Sequence, residues 1–267
     1  MKIYTYYQDI HFSTQNELID LWKISWSRHG FNPVVLNLED AKKHPYFETL
    51  NREMRRIFTE ITGRQITEYG MSCWFRWLAY ATQTDEKFYV SDYDAINVNF
   101  PITEPNDKLH LLDYDCPFLA SGTPKQFENL CKGFVEVSNQ RIEILKEQTG
   151  HYHDQEFFMY NFNSQLHDDA QDLRNKYNIL MTRNRREIGG FYNPVSKTVF
   201  AGPRLGEVNI QDYKVVHIAH FNVKTILDKY PELMQKHSKD SLRIEMIKDI
   251  LNIKRKKTKY YFTAIVK

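Results

Sequence analysis

The chain has 267 residues, and its 42% hydrophobic and 26% charged content is that of an ordinary globular protein rather than a disordered or membrane-embedded one. A formal net charge of +2 gives no global field that would favour nucleic acid, so we expect no nucleic-acid partner. The three cysteines, Cys73, Cys116 and Cys131, are odd in number and form no CxxC pair, which argues against a disulfide framework and against a thiolate metal site.

The first forty residues predict a β-α-β unit. The β-branched and aromatic run 2–7 indicates a strand, and the run 32–38 indicates a second one. Between them, Ser13 or Thr14 can cap a helix that ends at Gly30. Parallel strands joined in this way need a right-handed crossover, so the opening predicts an α/β fold.

Two aspartates follow a predicted buried strand in the middle of the chain. CWFRWLAYA (73–81) predicts an apolar helix with one charge, Arg76, and FYVSDYDAIN (88–97) predicts a strand that ends at Asp92 and Asp94. Ligands of open α/β sheets bind at the carboxyl ends of strands, and paired carboxylates suit Mg²⁺ or Mn²⁺. We therefore predict a divalent metal here, with Arg76 paired either to a phosphate or to a carboxylate, because an unpaired buried charge is costly.

A second Asp-Tyr-Asp, with Asp113 and Asp115, also follows an apolar run and is the alternative metal site. We favour the first motif because the helix that carries Arg76 precedes it. The second pair would then be an acceptor contact, a general base or a solvated turn.

The second half of the chain predicts four more elements: helices near 124–132 and 154–166, a strand at 214–223, and an amphipathic helix that ends at the basic run 254–257. Asp154, at the start of the second helix, is both a good N-cap and a candidate general base. The strand carries His217 and His220, which strand alternation would place on opposite faces. At most one of these histidines should then face a cleft.

In the order D-x-D, D-Q, H, these motifs resemble glycosyltransferases of the GT-A fold, in particular the glycogenin and bacterial galactosyltransferase families. The resemblance rests on CWFRWLAYA before FYVSDYDAIN, on Asp154 and Gln155 of HDQEFF, and on the late histidine of VVHIAHFNVK. Those families have H-x-x-G-x-x-K-P-W in the late segment, whereas here His220 replaces the glycine and Lys224 comes one residue late. His217 and His220 both stay candidate metal ligands, with His217 favoured.

The resemblance implies a GT-A-like, Rossmann-like mixed central sheet flanked by helices, in a single domain 1–267 with 236–267 as a basic C-terminal helix and strand extension. It implies metal-dependent transfer of a sugar from a nucleotide diphosphate sugar, most simply a UDP-sugar, to a hydroxyl of a glycan, glycolipid or glycoprotein. Retention of configuration is favoured, as in the nearer families, and inversion stays open. The resemblance also implies roles for single residues. Mn²⁺ or Mg²⁺ would be bound by Asp92, Asp94 and His217 or His220, and the phosphates would be contacted by Arg76 or Lys224. The base would be contacted by Tyr6, Tyr7 and Gln8, the ribose by Asp40, and the sugar by Asp154 and Gln155.

Two other functional classes stay open. A phosphatase or phosphotransferase of the haloacid dehalogenase type also uses a strand ending in D-x-D, with the first aspartate as nucleophile. A non-catalytic protein could instead use the basic tail to bind a nucleic acid, an anionic membrane face or a partner. The sequence offers neither a signal peptide nor the run of about 20 apolar residues that a membrane span needs, so we expect a cytoplasmic protein whose basic tail can make peripheral contacts.

Overall fold

The computed structural model describes residues 1–10, 15–112, 117–162, 168–182, 187–200, 207–233 and 238–253. The strands are β1 (Lys2–Tyr6), β2 (Asn32–Leu36), β3 (Phe88–Ser91), β4 (Ala95–Asn97), β5 (Leu109–Leu111), β6 (Leu119–Gly122), β7 (Ile179–Met181), β8 (Phe191–Asn193), β9 (Thr198–Phe200), β10 (Glu207–Asn209) and β11 (Val215–His217). The α-helices are α1 (Gln15–Ser27), α2 (Leu38–Lys42), α3 (Phe47–Thr62), α4 (Glu68–Ala81), α5 (Pro124–Gln140), α6 (Ile142–Gln148), α7 (Asp154–Phe162), α8 (Ala170–Lys176), α9 (His220–Lys229) and α10 (Lys239–Ile250).

A six-stranded mixed sheet forms the centre of the molecule, in the order β2-β1-β3-β6-β5-β7. Strand β1 is parallel to β2 and β3, β6 is antiparallel to β3 and β5, and β5 is parallel to β7. The chain passes from β1 to β2 on one side of β1 and then to β3 on the other. The carboxyl ends of β1 and β3 therefore flank the topological switch point of the sheet, where ligands bind in open α/β folds.

Helices cover both faces of this sheet, because its strands are apolar on both sides. Phe88 and Val90 of β3 pack in a cluster with α3, α4 and α5, while Tyr89 between them packs with Trp22 and Trp26 of α1. The two-residue period of a strand produces this division. The predictions of a β-α-β opening and of a mixed α/β sheet flanked by helices are confirmed.

The C-terminal part of the described chain builds smaller sheets beside the central one. Strands β10, β9 and β8 form an antiparallel sheet, and β11 pairs antiparallel with β4. A third apolar cluster joins α9 and α10 to Leu18 and Leu21 of α1. The helix predicted within 236–267 is thus part of the core, whereas residues 254–267, with the basic run, lie outside the described residues.

The predicted strand 214–223 is wrong over its second half. Strand β11 ends at His217, and helix α9 begins at His220. Val223, Ile226 and Leu227 are buried together at helical spacing. A short apolar run does not by itself distinguish a strand from a buried helix, which is why the sequence suggested one continuous strand.

Other predicted elements are present but begin or end at different residues. Helix α4 begins at Glu68, five residues before the predicted start at 73, because Thr67 Oγ1 caps it by accepting from Gly70 N at 3.0 Å. Helix α1 ends at Ser27, three residues before Gly30, which takes a positive φ of 81° in the turn that follows. The predicted caps Ser13 and Thr14 lie outside the described residues. None of the helices within the described ranges has the length and apolar character needed to cross a membrane.

Candidate functional site

A cavity of about 390 Å³ opens at the switch point between the carboxyl ends of β1 and β3. We call it the site cavity. Six segments supply its walls: the end of β1, one face of α4, the turn after β3, Pro117 before β6, the start of α7, and the chain from the end of β11 to α9. Its lining residues are Tyr6, Tyr69, Ser72, Cys73, Arg76, Asp92, Tyr93, Asp94, Pro117, His153, Asp154, Gln155, Glu156, His217 and Ala219.

One face of α4 forms a wall of the site cavity. Tyr69, Ser72, Cys73 and Arg76 follow one another at i, i+3, i+4 and i+7, the spacing of a single helical face. Burial raises the pKa of the Cys73 thiol well above its usual range, so this wall offers a neutral thiol and not a thiolate. The charge on the wall is that of Arg76.

Backbone pairing brings the late histidine beside the two aspartates. The chain turns after β3, with Asp92 N donating to Phe118 O at 2.8 Å and Ala95 N to Asp92 O at 3.1 Å. Strand β4 then pairs with β11, which sets His217 opposite Ala95. The Asp94 carbonyl accepts from Ile218 N at 2.9 Å. Backbone hydrogen bonds therefore hold the segment that carries His217 against the turn that carries Asp92 and Asp94.

Asp92, Asp94 and His217 each direct one possible metal ligand to a shared point. His217 Nε2 lies 3.2 Å from Asp94 Oδ1 and 3.8 Å from Asp92 Oδ2, and one ligand atom from each residue lies within 4.8 Å of the others. The Phe118 ring stacks on the imidazole, with centroids 4.5 Å apart and planes at 17°. Two carboxylate oxygens and one imidazole nitrogen form a group that could hold a divalent metal ion.

Two arginines hold the remaining carboxylate oxygens. Arg76 is paired with Asp92 Oδ1 through Nη1 and with Asp154 Oδ2 through Nε at 2.8 Å and Nη2 at 2.5 Å. Arg243 Nη2 donates to Asp94 Oδ2 at 2.6 Å. Each aspartate of the D-x-D motif therefore gives one oxygen to an arginine and turns the other towards His217.

The charges of this cluster do not cancel. Three carboxylates, those of Asp92, Asp94 and Asp154, face two guanidinium groups. Burial raises the pKa of the Asp92 carboxyl above its ordinary value, Arg76 opposes this rise, and the nearby Asp94 carboxylate adds to it. A bound cation would relieve the repulsion between the two aspartates of the motif.

The structure brings together most of the predicted residues. Three of them, Asp92, Asp94 and His217, are the possible metal ligands, and the others lie in the walls around these three. The predicted residues that line the site cavity are Tyr6, Arg76, Asp92, Asp94, Asp154, Gln155 and His217.

Four predicted contacts are not among the lining residues. Tyr7 packs its ring edge-on against that of Tyr93 at 5.9 Å, and Gln8 Oε1 accepts from the Tyr6 hydroxyl at 3.0 Å. Asp40 closes a capping box with Asn37 at the start of α2 and pairs with Lys43 at 2.7 Å. Lys224 lies on α9, where it pairs with Asp228 at 2.5 Å.

Some candidates fall outside the part of the chain that the structure describes. Asp113 and Asp115 of the second motif belong to this set, as do residues 254–257. His220 opens α9, but its side chain is not among those described. The choice of His217 over His220 therefore rests on the position of His217 beside both aspartates.

The sequence did not lead us to predict Arg243 as a site residue, nor Tyr69 and Ser72 on the part of the α4 face that precedes residue 73. Arg243 shares a helix face with Met246 and Ile247, both buried. An arginine at the spacing of apolar residues is the same signal that singled out Arg76 in CWFRWLAYA. Tyr69 and Ser72 carry the i, i+3, i+7 spacing with Arg76, which the prediction of a helix starting at 73 could not include.

No protein-family model matches the chain, and no curated protein has a significant match to its sequence.

Proposed function

We propose that the protein is a metal-dependent glycosyltransferase with a GT-A-like fold, which moves a sugar from a nucleotide diphosphate sugar, in the first instance a UDP-sugar, to a hydroxyl acceptor. The observation that carries this proposal is the convergence of Asp92, Asp94 and His217 at the switch point of the central sheet. The same cavity contains Arg76, Asp154 and Gln155, which the resemblance assigns to the phosphate and the sugar.

Asp92, Asp94 and His217 would hold Mn²⁺ or Mg²⁺ through one atom each. A divalent cation at this place supplies charge neutralisation for a diphosphate leaving group. Since both aspartates present a single oxygen to the site, the ligand count leaves coordination positions for phosphate oxygens. The protein itself contributes the orientation of those three atoms.

Arg76 connects the metal end of the site cavity to its sugar end. Its guanidinium pairs with Asp92 on one side and with Asp154 on the other. Because it lines the site cavity, it can also donate to a bound diphosphate, and a guanidinium matches phosphate oxygens well. We assign Arg76 to the charge of the leaving group in preference to Lys224, which is paired with Asp228 on α9.

Asp154 is held in one orientation. Its Oδ2 accepts from Arg76 Nε at 2.8 Å and from Trp77 Nε1 at 2.7 Å. Among the described residues, all of these donors meet Oδ2, so Oδ1 is the atom that can accept from a sugar hydroxyl. This arrangement supports a role for Asp154 in binding the transferred sugar. The resemblance, and not this geometry, assigns Gln155 to the reacting carbon and favours retention.

Aromatic side chains give the nucleotide base a place to bind. Tyr6, Tyr69 and Tyr93 all line the site cavity, and Tyr6 lies at the end of β1, the position that the resemblance assigns to the base. A tyrosine ring offers a flat apolar face for stacking and a hydroxyl for hydrogen bonding. We assign the base to Tyr6.

Thermal unfolding with UDP, GDP, ADP or CMP, each with and without Mn²⁺, tests the proposal. A ligand at 100 times its dissociation constant adds about 2.7 kcal/mol to the stability of a protein that binds it only when folded. We expect one nucleoside diphosphate to stabilise the protein only with Mn²⁺, and Asp92→Asn to abolish this effect. Asp249→Asn on α10, which does not line the site cavity, should leave it intact.

Two results would contradict the proposal. One is the absence of any metal-dependent stabilisation by the nucleoside diphosphates. The other is an Asp92→Asn protein that is stabilised as strongly as the wild type, since this would remove the D-x-D motif from nucleotide binding.

A further inference from the structure

Arg243 is a fully buried charge with hydrogen bonds that lead to the candidate metal site. It lies on α10 with a relative exposure of 0%. Its Nη2 donates to Asp94 Oδ2 at 2.6 Å, and its Nε donates to the backbone carbonyl of Ile218 at 3.0 Å. Unlike Arg76, it does not line the site cavity, so it reaches a ligand only through other residues.

The contacts of Arg243 close a ring around the metal-binding atoms. Arg243 binds the Asp94 side chain, the Asp94 carbonyl accepts from Ile218 N at 2.9 Å, and the Ile218 carbonyl accepts from Arg243. Ile218 directly follows His217. One guanidinium therefore fixes both the carboxylate of Asp94 and the backbone that carries the imidazole.

This ring decides which oxygen of Asp94 faces the site. With Oδ2 held by Arg243, Oδ1 points to His217 Nε2 at 3.2 Å. A carboxylate without the arginine could rotate or present both oxygens. A planar guanidinium that donates through Nε and Nη2 at once restricts this rotation, which a lysine ammonium cannot do in the same way.

We propose that Arg243 is a positioning residue for divalent-metal binding, and that it acts through Asp94. The inference rests on the proposed metal-dependent function. The positive charge of Arg243 opposes cation binding, while the orientation that it imposes favours it. We expect orientation to dominate, because removal of groups that orient metal ligands commonly lowers metal affinity by about 10- to 100-fold.

Mn²⁺ titration of the full chain without nucleotide, followed by calorimetry and by the electron paramagnetic resonance signal of free Mn²⁺, tests this role. We expect Arg243→Met to lower the Mn²⁺ affinity by about 10- to 100-fold. Arg243→Lys keeps the charge without the two-point contact, and we expect it to lose affinity as well. In an Asp94→Asn background, Arg243→Met should cause a clearly smaller loss, because its contact with the Asp94 carboxylate is already gone while its contact with the Ile218 carbonyl remains.

Arg28→Met is the matched control for damage to α10. Arg28 Nη1 donates to the carbonyl of Leu251 at 2.6 Å, so it anchors the end of the same helix without touching the aspartates. We expect this variant to lose stability and to keep the Mn²⁺ affinity of the wild type. If Arg243→Met does not fold, Arg243→Lys and the double variant with Asp94→Asn decide the question.

The positioning role is overturned if folded Arg243→Met and Arg243→Lys bind Mn²⁺ like the wild type, or if Arg243→Met weakens binding equally with and without the Asp94 carboxylate. These results leave the proposed function standing when Asp92→Asn still abolishes Mn²⁺ binding. A wild-type protein that binds no Mn²⁺ contradicts both the proposed function and this inference.

Discussion

Two cavities of comparable volume differ in where their charges lie. The site cavity has about 390 Å³, and a second one beside α10 has about 310 Å³. We call the second the α10 groove. It is lined by Pro194, Lys197, Leu233, Leu242, Glu245, Met246, Lys248, Asp249 and Ile253.

The ion pair between Lys197 and Asp249 in the α10 groove lies near solvent, whereas the ion pair between Arg76 and Asp154 in the site cavity is largely buried. The side chain of Lys197, which pairs with Asp249, is 60% exposed, and that of Arg76, which pairs with Asp154, is 14% exposed. Desolvated charges are costly, and groups of them in a cleft often mark functional sites. Convergent buried charge, rather than concavity, therefore distinguishes the site cavity.

The largest effect should come from removing the charge that holds the site cavity together. Arg76→Met leaves the carboxylates of Asp92 and Asp154 without their guanidinium, and breaking a buried ion pair in this way costs about 3 to 5 kcal/mol. Urea-induced unfolding measures the loss. The control is Arg56→Met on the surface of α3, where ion pairs with Glu53 and Glu60 contribute under about 1 kcal/mol. Equal losses would show that the site charges are no more desolvated than surface ones.

The close approach of two cavity walls depends on a glycine. A Cβ atom at Gly70 on α4 would lie 2.7 Å from Ile66 Cγ1 and 3.0 Å from His153 Nε2, next to the start of α7. We expect Gly70→Ala to cost about 1 to 3 kcal/mol through overpacking. Gly150→Ala is the control, because nothing lies within 4 Å of its Cβ position. Chemical denaturation compares the two, and a Gly70→Ala protein as stable as Gly150→Ala would contradict the packing.

Two buried tryptophans allow the hydrogen bond to Asp154 to be isolated. Trp77 Nε1 donates to Asp154 Oδ2 at 2.7 Å, whereas Trp74 Nε1, equally buried, has no partner among the described residues. Substitution by Phe removes the same volume in both. Trp77→Phe should therefore be less stable than Trp74→Phe by about 1.5 to 3 kcal/mol, the cost of a lost hydrogen bond to a charged group. Equilibrium unfolding of the two variants gives this difference, and a value near zero would show that the bond to Asp154 contributes nothing.

Local patterns predicted the elements that bring the first half of the site together. The apolar run before Asp92 and the lone arginine in CWFRWLAYA are signals within ten residues of sequence, and both elements form where expected. The switch point lies beside the β-α-β opening, since β2 and β3 lie parallel to β1 on its two opposite sides. These features depend on periodicity and on strand order, which the sequence carries locally.

The rest of the site depends on contacts between residues that are far apart in sequence. No local sequence pattern predicts such contacts. Arg243 lies 149 residues from Asp94 in sequence, and the hydrogen bond between them depends on how α10 packs. His217 reaches the aspartates through the pairing of β4 with β11, whereas the apolar run after it forms a helix instead of a continued strand. The place of Asp40 after β2 suggests a ribose contact, and the structure shows that its carboxylate caps α2.

The smallest effect is expected in the α10 groove. Lys197→Ala removes an exposed lysine from Asp249, and exposed ion pairs of this kind contribute about 0 to 1 kcal/mol. We expect the free energy of unfolding, measured in urea, to fall by no more than this amount. Metal-dependent stabilisation by nucleotide should stay at the wild-type level. Asp249 keeps the hydroxyl of Tyr192 as a donor in this variant, so the loss of the lysine leaves no unpaired carboxylate. A Lys197→Ala protein that loses Mn²⁺ or nucleotide binding would mean that the groove and the site cavity are coupled through α10. This helix carries both Met246, which lines the groove, and Arg243, which binds Asp94 from outside the site cavity.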